Sequence, residues 1–94
     1  MFKIKGTYQT AGIAHESAEN KAFYNGIATA FSRFLAGDYG DLCEEDSIAN
    51  EQALADGSRI LAVYNAAGKT IWIIADAEDE NKERIVTVLF PDEY

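Results

Sequence analysis

"RILAVYNAAGKTIWIIADA", Arg59 to Ala77, is the stretch that decides the fold. Two apolar runs, "RILAVYNA" and "TIWIIADA", flank "AAGK". Their branched and aromatic side chains suit a pleated, half-buried surface. A short link containing Gly between two such runs predicts a hairpin. A third run, "RIVTVLF" at Arg84–Phe90, follows the acidic loop "EDENKE" and stops before Pro91. Proline has no N–H to give a ladder, so the strand ends there. The second half of the chain therefore reads as a three-stranded antiparallel meander.

Working outward, "FKIKGTY" at Phe2–Tyr8 alternates Phe2 and Ile4 with Lys3 and Lys5, the period of a strand with one basic face. "TAGIAH" reads as a loop or short turn. "HESAENKAFYNGIATAFSRFLAGD" reads as one helix. Phe23, Ile27, Ala30, Phe31, Phe34 and Leu35 share one face, while Glu19, Lys21, Asn25 and Arg33 share the other. Gly26 costs up to about 1 kcal/mol inside a helix, and a close packing contact would account for it. Gly37 is the expected stop. Asp41 and Glu44 have capping-box spacing. They predict a first turn at Leu42–Asp46 and a second helix at Ser47–Ala55 that ends at Gly57. Ile48, Ala49, Ala53 and Leu54 give that helix a weak apolar stripe. The expected fold is a single α+β domain over 1–94, in the order β-α-α-β-β-β, with an antiparallel sheet and two helices packed on one face.

The chain of 94 residues carries 16 acids against 8 bases, a net charge of −8. Phosphates repel such a surface, so direct contact with nucleic acid or an anionic membrane is disfavoured and a basic partner is favoured. Solubility alone is the plain alternative. The single cysteine, Cys43, excludes an internal disulfide and a multi-cysteine zinc site. "MFKIKGTYQT" lacks the apolar stretch of a secretion signal, and no window approaches 18 apolar residues. The cytoplasm is the expected compartment.

Gly37–Gly57, "GDYGDLCEEDSIANEQALADG", holds seven carboxylates and no Lys or Arg. Its acids lack the spacing of a calcium loop. On a helix, Glu44, Glu45 and Asp46 fan out over about 200° rather than converging. No metal or cofactor is expected. Cys43 and His15 are the only residues of their kinds, with no catalytic signature around either. A small buried thiol and a solvated or capping imidazole are the expected roles. Phosphate-binding glycine motifs are absent, and so small a domain rarely encloses a sugar cleft between paired carboxylates. The chain does not read as an enzyme. Tyr39, Trp72 and Tyr94 are possible binding anchors, although "IWII" favours a core position for Trp72. Carboxylates three and four apart on a helix sit about 5–6 Å from one another, of the order of phosphate spacing on a nucleic acid strand. Two clusters arise: Asp41, Glu44, Glu45 and Asp46, and then Asp76, Glu78, Asp79, Glu80 and Glu83 around a loop. A basic groove that binds RNA or DNA would attract either. The plain reading is that both face water.

Three segments, "ENKAFYNGIATAFSRFLAGDYGDLCEEDSIANEQAL", "RILAVY" and "IWIIAD…TVLFPDEY", together resemble a family of small proteins carried by conjugative elements, plasmids and related mobile DNA in Firmicutes. That family shows a G-D-W-G-[DE]-[LM]-C-x-E-D core and ends in T-[TV]-[LI]-L-F-P-x-[ED]-Y. Tyr39 stands here where the family has Trp, and "AEDENKERIV" is longer than the family's link between the last two strands. The resemblance carries no reaction. It implies a setting in which small acidic inhibitors of CRISPR nucleases occur, some of them acting on Cas9. The expected function is thus an anti-CRISPR inhibitor. It would dock on a basic nucleic-acid-binding surface of a Cas nuclease through Asp38, Tyr39, Asp41, Glu44, Glu45 and Asp46. The alternative is an accessory or regulatory adaptor of the element with a different protein partner.

Overall fold

The structure, a computed structural model, describes residues 2–94. The elements run β1 (Lys3–Gln9), α1 (Ala11–Glu19), α2 (Lys21–Leu35), α3 (Glu44–Asp56), β2 (Ile60–Ala66), β3 (Lys69–Ala75) and β4 (Glu83–Leu89), followed by a 3-10 turn at Pro91–Glu93. The class is α+β. The hairpin is present, with Ile60 opposite Ala75 and Ala66 opposite Lys69. Its two-residue turn places Ala67 and Gly68 at φ 50° and 82°. Positive φ at both positions matches the right-handed twist of the flanking strands. Asn65 tightens the turn by accepting the Gly68 N–H at 3.0 Å.

Two expectations need correction. The sheet is mixed, in the order β1-β4-β3-β2, with β1 parallel to β4 and the other two pairs antiparallel. All three helices lie between β1 and β2 in the chain. They form a crossover that brings the chain back in its original direction, which is what parallel neighbours require. The meander then returns β4 alongside β1. The second correction is that there are three helices rather than two. "TAGIAH" is not a loop: Thr10 caps α1 by accepting the Ile13 N–H, and Ile13 is fully buried. The long helix expected over His15–Asp38 is broken at Asn20, whose backbone is extended (φ −139°, ψ 104°) and whose side chain accepts the Phe23 N–H at 3.2 Å. Asn competes for backbone groups in this way and so favours caps over helix interiors. The apolar period runs on through the break and hides it.

One face of the sheet is the core face. Ile60, Ala62, Tyr64 and Ala66 of β2, Ile71, Ile73 and Ala75 of β3, and Val86 and Val88 of β4 are buried in one cluster with Ile13 of α1, Phe23, Ala30 and Phe34 of α2, and Ala53 of α3. Burying a Phe completely contributes about 1.5–3 kcal/mol, so Phe23 and Phe34 anchor α2 to the sheet. Ile27 and Phe31 are partly buried against the same cluster, and Leu35 is exposed. Gly26 has the close contact its position called for. A Cβ there would stand 2.9 Å from the Ala66 Cβ, so α2 meets β2 almost backbone to side chain. Trp72 is not in this core. Register places it on the opposite face, half-buried, with Tyr94 edge-on at 5.8 Å. Among the described residues no helix is long and apolar enough to cross a membrane.

Candidate functional site

The acidic stretch begins where α2 stops. Gly37 takes φ 85°, the Asp38 N–H returns to the Arg33 carbonyl at 2.9 Å, and the Gly37 N–H returns to that of Phe34 at 3.1 Å. This pair of bonds closes a helix with a left-handed residue after its cap. The Asp38 carboxylate then accepts from Arg33 at 2.7 and 3.2 Å and from the Gly40 N–H at 3.0 Å. The Arg33 hydrogen bonds, then the Gly40 N–H, hold the Asp38 carboxyl below the usual aspartate range. Its carbonyl accepts the Tyr64 hydroxyl at 2.6 Å. Burial first, then the nearby Asp38 charge, pushes the Tyr64 phenol far up.

The next three residues run along the edge of the sheet. The Tyr39 carbonyl accepts the Val63 N–H at 3.1 Å, and the Asp41 N–H donates to the Val63 carbonyl at 2.8 Å. Gly40 lies so close to β2 that a Cβ on it would fall 1.9 Å from the Val63 oxygen. Tyr39 turns inward, edge-on to Phe34 at 5.5 Å. Two residues along β2, the Asn50 side chain of α3 takes over. It accepts the Leu61 N–H at 3.1 Å and donates to the Leu61 carbonyl at 2.6 Å. An edge strand left open pairs with other chains. Here Tyr39–Asp41 and Asn50 satisfy β2 in turn, and in doing so they fix α3 beside it.

The far end of α3 is held by Arg84. This residue is 1% exposed, inside the core face of β4. Its guanidinium donates to the carbonyls of Ala53 and Asp76, each at 3.1 Å, and to that of Ser58, and it stands 3.7 Å from Glu78. A cation among the last carbonyls of a helix also suits the helix dipole. Sequence reasoning passed over both Asn50 and Arg84. Period two does place Arg84 on the face of Val86 and Val88, and helical spacing places Asn50 in line with Ala53. A polar residue in an apolar stripe was the available signal.

Among the sequence-predicted residues, Asp41, Glu44 and Glu45 are exposed and Asp46 is half-buried. None of the four takes part in a salt bridge among the described residues. Asp38 and Tyr39 lie beside them but are engaged by Arg33 and Phe34. The expected Asp41–Glu44 capping box is not formed. Asp41 is tied to Val63, so the helix starts later, with Cys43 at the N-cap and no side-chain hydrogen bond there. Cys43 is exposed rather than buried. His15 lies within α1 rather than before a helix, and is exposed.

The second acidic cluster is of a different kind. Asp79 pairs with Lys5 at 3.4 Å and accepts the N–H groups of Asn81 and Glu83. The Glu83 backbone bond, foremost, keeps its carboxyl below the usual range. Glu78 faces Arg84. Two of the five acids of this cluster thus act within the fold, while Asp76, Glu80 and Glu83 take part in no salt bridge among the described residues. Among the described residues no three His, Cys, Asp or Glu side chains converge as metal ligands do. Comparison with protein-family models, with curated proteins and with solved structures finds no match to this chain.

Proposed function

We propose that this protein is a non-enzymatic acidic binding protein of a mobile genetic element. In this reading it docks on the basic nucleic-acid-binding surface of a Cas nuclease of the Cas9 type and blocks guide RNA or DNA binding. Asp41, Glu44, Glu45 and Asp46 carry the contact, with Asp38 and Tyr39 shaping its edge. The observation that supports this is the contrast between the two acidic clusters. In the loop after β3, Glu78 and Asp79 engage cations, whereas at the entry to α3 none of Asp41, Glu44, Glu45 and Asp46 does so among the described residues, and that helix is held at Asn50 and Ala53. A patch of uncompensated charge on a fixed element complements a positive groove and steers a basic partner toward it.

The test is inhibition of guide loading or DNA cleavage in a reconstituted nuclease reaction. The protein is compared with Asp41→Lys, Glu44→Lys and Glu45→Lys combined, and with Glu78→Lys, Asp79→Lys and Glu80→Lys combined, each shown to be folded by circular dichroism. The first variant should lose inhibition at least tenfold, mainly through association rate, with the loss shrinking as salt rises. No inhibition by the parent overturns the reading. Inhibition lost only in the second variant moves the site to the "EDENKE" loop.

A further inference from the structure

Between the end of α2 and the flank of α3 lies a cleft. Tyr39 and Leu54 line both its halves, of about 410 and 280 Å³, with Leu42 in the first and Leu35 in the second. Leu35 is 42% exposed, Leu54 47% and Ile48 49%. These are three of the six large apolar side chains left exposed among the described residues. The weak stripe read from the sequence as the inner face of α3 is thus split. Ala53 goes in, while Ile48 and Leu54 stay out. Ile48, Glu51 and Leu54 follow at three-residue steps, so a carboxylate stands between the two apolar side chains on the helix surface. Asp38 on the rim is paired with Arg33, and Lys3 and Lys82 share with Leu54 a second pocket, whereas Glu51, Glu44 and Asp41 take part in no salt bridge among the described residues.

We propose that this cleft receives a basic amphipathic segment of the partner. An apolar side chain enters between Leu35, Tyr39 and Leu54, and flanking Arg or Lys side chains meet Glu51, Glu44 and Asp41. The inference rests on the reading that the partner surface is basic, and adds that charge alone does not define it. Charge complementarity selects this occupant. A second copy of the chain would bring the same acids face to face, and like charges across an interface are costly. A purely polar polycation would leave the cleft wall in water. An apolar side chain with basic neighbours satisfies both parts of the surface.

The test uses two synthetic peptides of equal length and charge, one of Arg with Leu at helical spacing and one with Ser in place of each Leu. Binding is followed by amide chemical shifts of the whole protein. The Leu-containing peptide should bind about tenfold tighter or more, a step of one order of magnitude in the dissociation constant. It should move the resonances of Leu35, Tyr39 and Leu54. Leu54→Ser, a change at an exposed position, should bring the two peptides within about twofold of each other. Glu51→Gln should weaken both alike. Equal binding of the two peptides to the parent overturns the cleft proposal and leaves the acidic docking surface standing. Binding of neither peptide at low salt overturns both readings. Shifts centred on Trp72 and Tyr94, or a concentration-dependent dimer abolished by Leu54→Ser, overturn the cleft proposal.

Discussion

Gly37–Asp41 and α3 share one acidic run, yet the fold uses them in opposite ways. In the first, nearly every group is committed. Gly37 closes α2, Asp38 binds Arg33 and Gly40, Tyr39 packs on Phe34, and Gly40 and Asp41 lie along β2. In the second, two inward side chains, Asn50 and Ala53, are buried, and the carboxylates of the first turn form no salt bridge among the described residues. Charge in a sequence is therefore not one property. Carboxylates that face backbone N–H groups and a guanidinium hold a turn together, and those projecting from the start of α3 hold no part of the described fold.

The largest test of this contrast is at the two turn glycines. Gly40→Ala should cost about 3 kcal/mol or more, at the severe end for a point change, because the methyl collides with a backbone oxygen as well as forcing positive φ. Gly37→Ala has nothing within 4 Å of the added methyl and should cost only the left-handed conformation, about 1–2 kcal/mol. Chemical denaturation measures both. Equal losses would mean that the Tyr39–Asp41 segment does not lie against β2, and the contrast between the two regions would collapse.

Next in size is Asn50→Ala, which leaves both polar groups of Leu61 without partners. Each unpaired buried group costs about 1–3 kcal/mol, so a loss of about 2–4 kcal/mol is expected once water reaches the exposed side of the strand. Hydrogen exchange should rise at Leu61 and through α3 while the Val63 amide stays protected. If Val63 and Leu61 open together, α3 and the turn before it are one unit.

How much of this was legible depends on the range of the contacts. The hairpin, the α2 stripe apart from its last member Leu35, which is exposed, and the end of β4 at Pro91 follow from local period and turn chemistry, and they stand. The direction of β1 against β4 does not, because it depends on how three helices carry the chain across the sheet. Asn20 was hidden because Phe23 continues a helical period that the chain itself interrupts. Asp41 misled for a similar reason. Its spacing to Glu44 fits a cap, but its N–H is bound to Val63 across the sheet edge. A long-range bond here decides the start of a helix that local spacing puts elsewhere. In the site, the exposed acids at the start of α3 were readable as charge. The cleft beside them was not, because helical spacing alone assigned Leu54 to the inner face.

The smallest expected effect has the opposite sign. Cys43 has cap geometry already, φ −70° and ψ 164°, but contributes no hydrogen bond to the first turn of α3. Cys43→Ser places an acceptor where the orphan N–H groups begin, and a side-chain cap is worth about 0.5–2 kcal/mol. The exposed site removes any cost of losing packed sulfur, so a gain near the lower end, about 0.5–1 kcal/mol, is expected. A rise in melting temperature for Cys43→Ser, with Asp41→Ala leaving the helix content of α3 unchanged, confirms that the helix begins at Glu44. Loss of α3 helicity in Asp41→Ala would restore Asp41 as the cap. It would also take one carboxylate out of the proposed docking patch, leaving Glu44 and Glu45 as its exposed members.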